Sequence, residues 1–542
     1  MLAVRRSPTS WSVSSLRRLQ ENGNSKLNNI LTLPQRLQKS LRPRYLGLDL
    51  IRSLHTSSPR LGIPSVSANG LIQTPQYLAA VELINSRLAA NYPNGRAVHH
   101  PKKKPLPCPA LPTPDLLGTK FSLPATRGRC SLIEPEAARV FVRGALGLDQ
   151  KQPKGSKKRK DGRVIIEAFP GPGGVTRALL ELPRSEVKKV IVLEEELKFL
   201  PALKELEYYD DRVHVLSQSG FIWETYDLVK DLGLLDDVEI EDWKTGGFKK
   251  KLLIFVIYLT YMCAAPHSTL SFIGHLPLGP VGEQLIAQLL RTIPERSWLF
   301  KYGRMRMSWL LAERMLDRIN SQPLRSARCK LTLVAEATAD ITPAVPREIL
   351  EDYDKHFWPP AESAVGGKKK TPLPRRIGQP FVAVNIDPKA EGSILPRDEA
   401  KALRVQQAVA GTTGGAQGLV SDVTPSDPFT DTRAKTSQAI DSGVTHPVTR
   451  VTLDKWDYVL RQLFILKSTP LEKAIQNLGP GASILLSKLT GPDIPASQKV
   501  NIKAPINALT LHDFARIVEE FHKWPFAPDV LFIADQVEED RN

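Results

Sequence analysis

Apolar residues in this chain gather in short β-rich runs separated by stretches with helical spacing. Val164–Ala168, Lys189–Leu193, Val213–Leu216 and Leu270–Ile273 read as strands, and Lys330–Glu336 and Phe381–Ile386 as later ones. Helical periodicity marks Thr74–Asn91, Pro135–Leu148 (closed near Gly147), a helix beginning near Val175, Val281–Leu290, Leu453–Asn477 and Leu511–His522. Strands alternating with helices predict an α/β fold built on a mostly parallel sheet. An acidic insert, Asp231–Gly247, interrupts that core. The run Leu252–Ala265 (LLIFVIYLTYMCAA) is apolar throughout but has only 14 residues. A bilayer span needs about 20, so it reads as a buried strand or core helix, and no membrane span is expected.

The ends and the charge refine this picture. A 542-residue chain can hold two or three domains. The first 60 residues carry eleven Arg/Lys against Glu21 and Asp49, net +9 of the formal +17, on a Ser- and Leu-rich background. Spread arginines with few acids predict a mitochondrial transit peptide over 1–60, and hence a matrix address; a basic tail for nucleic acid is the other reading. The remainder stays basic, which favours polyanionic partners through counterion release. Residues 61–119 comprise a helix and a Pro/Lys linker, His99–Pro114. A Rossmann-like domain is expected over 120–388, a disordered insert rich in Gly, Ser, Thr, Asp and Ala over 389–448, and a small helical domain over 449–542. Four cysteines lie far apart with no C-x-x-C pair, which points to a reducing compartment and away from zinc or any other metal.

Val164–Thr176 (VIIEAFPGPGGVT) carries the first chemistry: an apolar strand ending in a carboxylate, then a Gly/Pro turn, then a helix. Glycine has no Cβ, so such a turn lets backbone approach a nucleotide-like ligand. In a Rossmann-like sheet ligands sit at the carboxyl ends of the strands. Glu167 and the turn through Gly171 and Gly173 follow the first strand, Glu194 closes the second, where an acid commonly accepts from ribose hydroxyls, and Ser217–Ser219 end the third. The basic run Lys151–Lys160 just before the first strand is a solvated face or a phosphate contact.

The fourth strand ends in Phe272-Ile-Gly-His-Leu-Pro-Leu278. With the Gly-rich turn, it resembles the rRNA adenine N6-dimethyltransferase family, which includes the mitochondrial transcription factor B proteins and whose signature here is G-N-L-P-Y/F. Phe357–Ser363 (FWPPAES), Val382–Lys389 (VAVNIDPK) and Leu463–Leu471 (LFILKSTPL) resemble further family segments in the same order, over roughly residues 120–390 and 450–530. The resemblance implies a Rossmann-like class I S-adenosylmethionine-dependent methyltransferase fold with a small C-terminal helical domain. In the family, the signature Asn and Pro hold the adenine N6 amine while the aromatic stacks on a flipped base, so catalysis is largely positioning. The matching positions here are His275, Leu276, Pro277 and Leu278. Imidazole offers no carbonyl to the amine, and leucine offers no π-face.

The cofactor positions that the resemblance assigns are Arg129, Glu167, Gly171, Gly173, Glu194 and Ser219. Arg129 stands where the family has Gln, Phe169 where it has the first turn glycine, and Ser219 or Gln218 where it has the adenine-reading Asp. Five departures around one pocket imply relaxed selection for methyl transfer, with His275 a backbone-capped histidine and Phe169 a packing residue filling the methionine space. The resemblance to the fungal transcription-factor branch therefore implies an initiation factor for the single-subunit mitochondrial RNA polymerase, binding DNA or rRNA on a methyltransferase-derived scaffold. Phosphate contacts are expected from Lys157, Lys158, Arg159, Lys160, Lys368, Lys369, Lys370, Arg375 and Arg376, and base stacking from Phe357 or Trp358, for which core packing is the alternative. The other readings are an active S-adenosylmethionine-dependent rRNA adenine dimethyltransferase and an rRNA-binding assembly protein of the mitochondrial ribosome.

Overall fold

The structure, a computed structural model, describes residues 74–91, 108–113, 117, 128–149, 162–243, 267, 269–361, 377–389 and 453–528. The leader, most of the Pro/Lys linker, Lys151–Lys160, Leu252–Ala265, Lys368–Lys370, Arg375, Arg376 and the insert beyond Lys389 lie outside the described residues.

Helix α1 (Pro75–Asn91) precedes a two-residue strand, β1 (Ser131–Leu132), and helix α2 (Pro135–Leu146). Glu134 caps α2 by accepting from the Glu136 and Ala137 N–H groups. Pro135 opens its first turn and Gly147, at φ 65°, closes it. The alternating core follows in chain order: β2 (Arg163–Ala168), α3 (Gly174–Glu181), β3 (Val187–Leu193), α4 (Leu200–Tyr209), β4 (Val213–Leu216), α5 (Trp223–Asp231), β5 (Leu270–His275) and α6 (Pro280–Glu295). Then come β6 (Arg306–Ala312), α7 (Glu313–Ile319), α8 (Lys330–Thr338), β7 (Ala339–Pro343), β8 (Phe357–Trp358) and β9 (Phe381–Pro388).

Seven strands form one sheet in the order β4-β3-β2-β5-β6-β9-β7. Neighbours from β4 to β6 are parallel, whereas β9 runs antiparallel to both β6 and β7. Renumbered within the sheet the order is 3-2-1-4-5-7-6 with the seventh strand reversed: the Rossmann-like class I methyltransferase fold. Helices cover both faces, so Val164, Ile165 and Ile166 are all buried and β2 reads as a continuous apolar run. The switch point lies between β2 and β5, which pair directly, and the crevice at their carboxyl ends is where this architecture places ligands.

Two readings of the sequence need correction. Lys330–Glu336 is not a strand but the start of α8. Leu331, Thr332, Leu333, Ala335 and Ala337 are all buried, because α8 contributes to the sheet core through Leu331 and Ala335 and to the C-terminal helical core through Leu333 and Ala337. A helix buried against two cores, with only Glu336 exposed, loses its 3.6-residue signature. Its start is set by Cys329, whose N–H donates to Thr332 Oγ1 at 3.0 Å. Likewise, Leu453–Asn477 is not one helix. Helix α9 (Leu453–Phe464) ends before Pro470, and single turns follow at Leu471–Ala474 and Ile475–Leu478. Helices α10 (Ile484–Thr490) and α11 (Leu511–Lys523) complete this region, α11 entered through a Thr510/Asp513 capping box.

Candidate functional site: the crevice at the strand ends

The loop after β2 is shaped by its backbone. Phe169, Gly171 and Gly173 have φ of 58°, 60° and 88°, the left-handed region that glycine enters freely and phenylalanine does not. A Cβ on Gly171 would lie 2.0 Å from Ser131 Oγ, so β1 seals that side of the turn. On the other side Arg177 donates to the Pro172 and Gly173 carbonyls at 2.8 and 2.9 Å.

Three of the expected cofactor residues, Arg129, Glu194 and Gly171, are engaged with one another. Arg129 grips Glu194 through both guanidinium arms at 2.6 and 2.5 Å. The Glu194 carboxylate also accepts from the Gly171 N–H at 3.2 Å and the Glu196 N–H at 2.8 Å. The guanidinium carbon lies 5.3 Å from the Phe169 ring centroid and 5.4 Å from that of Phe199. Burial alone would lower the Arg129 pKa, but the Glu194 charge outweighs it and the group is held above its ordinary value. Arg129 is 9% exposed, Phe169 3%, Ser219 2%, Glu194 1% and Glu167 0%.

Glu167 accepts from Thr176 Oγ1 at 2.7 Å. Burial, aided by the Glu194 charge and only partly opposed by Thr176, raises its pKa to about 8. Ser219 Oγ accepts from the Phe221 N–H at 3.3 Å, a local turn contact.

The signature positions are equally enclosed. His275 ends β5, and its Nε2 accepts the Leu132 N–H at 3.0 Å. Burial and the Arg129 charge depress its pKa to about 3, so the ring is neutral and serves as an acceptor. Leu276 and Leu278 are buried, their N–H groups bonded to the Leu310 and Gly128 carbonyls, and Pro277 is buried between them. His275→Ala is expected to strand the Leu132 N–H and lower stability by about 1–3 kcal/mol. Urea denaturation measures this, and an unchanged midpoint would remove the capping role.

Phe357 is not offered to a base. It is 1% exposed, stacked on Tyr353 with centroids 5.4 Å apart and 4.8 Å from Phe381, while β8 pairs with β1. Trp358 is buried too. One contributor was missed in the sequence: Tyr77 of α1, whose hydroxyl contacts the Glu195 and Ser217 carbonyls at 2.9 and 3.2 Å. The only sequence signal for it is its place on the buried stripe with Ala80 and Ile84.

S-adenosylmethionine does not fit the crevice as it stands. The carboxylate that would take the ribose hydroxyls is saturated by Arg129 and two backbone N–H groups, and Phe169 fills the turn.

A profile for "Ribosomal RNA adenine dimethylase" matches residues 148–365. Over that stretch, about two fifths of its length, this chain is similar to the ribosomal RNA adenine dimethylase family. Among its relatives, Mitochondrial transcription factor 1 of Saccharomyces paradoxus is 25% identical over 259 residues, covering 47% of this chain and 55% of that protein. Ribosomal RNA small subunit methyltransferase A of Rhodopseudomonas palustris is also 25% identical, over 260 residues, 46% of this chain and 79% of the enzyme. The chain spans about half the length of the transcription-factor relatives it matches. A dimethyladenosine transferase structure from Plasmodium falciparum aligns with a TM-score of 0.36 at 13% identity, over 72% of this chain and 98% of that one. The matched family's fold implies an S-adenosylmethionine site at the strand ends, and in this chain Arg129 and Phe169 are buried there. No described helix is long and apolar enough to cross a membrane, and among the described residues no His, Cys, Asp or Glu group is placed to hold a metal.

Proposed function

We propose that this protein is a mitochondrial transcription initiation factor that assists a single-subunit mitochondrial RNA polymerase in recognising or melting promoters. The observation that carries the reading is the crevice: at the strand ends of a methyltransferase-type sheet, Arg129 and Glu194 are held in a buried ion pair. The likeness to fungal Mitochondrial transcription factor 1 supports the same reading, as it supports a mitochondrial location; the matrix follows from the role. Phosphate contacts are assigned to Lys157–Lys160, Lys368–Lys370, Arg375 and Arg376, all outside the described residues.

Run-off synthesis from a mitochondrial promoter with purified polymerase is expected to rise when the chain is added. No stimulation would overturn the proposal. Replacing Lys157, Lys158, Arg159 and Lys160 together by alanine should weaken DNA binding across sequences and flatten the log–log salt slope by up to about 3–4 units, roughly 0.9 per phosphate contact. An unchanged slope would remove that loop from the interface. Micromolar S-adenosylmethionine binding with methyl incorporation into adenine would instead establish the rRNA dimethyltransferase reading.

A further inference from the structure

Three loops meet at the carboxyl ends of β2, β3 and β4: the turn 169–174, the segment 194–199 and the loop 217–220. In a liganded Rossmann-like site the small molecule joins such loops. Here side chains of the chain itself join them, two by two. Arg129 fixes Glu194, whose carboxylate also holds the Gly171 N–H, coupling the first loop to the second. Phe169 reaches the third, its ring lying 3.4 Å from where a Cβ on Gly220 would stand. Tyr77 spans the second and third through the Glu195 and Ser217 carbonyls.

A pair of buried charges repays its desolvation only with good geometry and fully used lone pairs. The Arg129–Glu194 pair has the geometry and fills the carboxylate, with two guanidinium arms and two backbone donors on it and two aromatic rings near the guanidinium; Arg129 Nε is the one buried proton of the pair without a partner. That is the description of a bound ligand, except that its tether is the peptide chain.

We infer that Arg129 is a resident ligand of this crevice, a guanidinium that holds Glu194 where a cofactor's ribose would and keeps the three loops joined with no small molecule. The inference rests on the family position of the crevice and deepens the proposed loss of methyl transfer. It is independent of the polymerase.

Thermal melts of the full-length chain test it. With millimolar S-adenosylhomocysteine as probe, the wild-type midpoint is expected to stay where it is; a rise would overturn the inference. Arg129→Ala leaves the Glu194 charge buried and unpaired, and the midpoint should fall by roughly 3–8 °C. Millimolar ethylguanidinium should restore part of that loss in a saturable way, as a ligand of the native state does, whereas ethylammonium, which lacks the planar fork, should not. An unchanged midpoint, or a loss that ethylguanidinium fails to reduce, would overturn the inference. If Arg129→Ala does not fold, Arg129→Lys decides: it keeps the charge but not the fork, so a midpoint below wild type supports a guanidinium-specific site and an unchanged one overturns it. A wild-type chain that stimulates promoter-dependent synthesis yet binds S-adenosylhomocysteine would sink this inference and leave the transcription role standing. A chain with no stimulation but the expected melts would do the reverse.

Discussion

Phe169→Gly is expected to destabilise the protein by about 2–3 kcal/mol, although glycine is the residue the related methyltransferase turn carries. Two effects oppose each other. The residue sits at φ 58°, a conformation that costs a non-glycine residue about 1–2 kcal/mol, so glycine removes that strain. Against this, Phe169 is 3% exposed and belongs to the main apolar core, and truncating such a ring costs about 3–5 kcal/mol. The ring also forms one wall of the Arg129 site. Packing therefore wins over strain. Urea denaturation with an unchanged m-value measures the difference, and a variant as stable as wild type would show that the ring is not a structural filler. Even with the ring gone, Glu194 still faces Arg129, so the single change is expected to leave S-adenosylhomocysteine binding undetectable by calorimetry.

The sheet was legible because its central strands are buried on both faces and its turns carry Gly and Pro. β2 to β5 stand where the apolar runs predict them, and Glu167, Glu194 and His275 fall at strand ends as expected. Burial against two cores hid α8 by erasing most of the helical period. The crevice was legible only as a list of departures. Arg129 and Glu194 lie 65 residues apart, so sequence shows a lost glutamine and a retained acid but not that each satisfies the other. Tyr77 is 118 residues from Glu195, and no local pattern connects a tyrosine in the first helix to a loop after the third strand. What looks in sequence like decay around a pocket is in structure a substitution of one set of bonds for another.

Glu167 gives the clearest pH signature of that substitution. Its carboxyl is fully buried, and burial, with the Glu194 charge added, raises its pKa from the ordinary 4.5 to about 8. The folded state therefore binds this proton more tightly than the unfolded chain. A group whose folded pKa is raised contributes stability in full below its unfolded value and loses it as pH rises through the folded one. Stability is thus expected to fall between about pH 4.5 and 8, by an amount on the order of 4 kcal/mol attributable to this residue. Glu167→Gln is nearly isosteric with the protonated acid, and its carbonyl can still accept the Thr176 hydroxyl now bonded to Glu167 Oε2. The variant should match wild type near pH 5 and exceed it progressively toward pH 8.5. Comparing the two proteins at each pH cancels the titration of every group they share. Denaturation midpoints that run parallel across this range would mean that Glu167 is already ionised in the folded chain, as a carboxylate free to accept a ligand would be. Divergence would fix it as a neutral acid, so that Glu194, neutralised by Arg129, would be the one remaining anionic carboxylate of the pair at the strand ends.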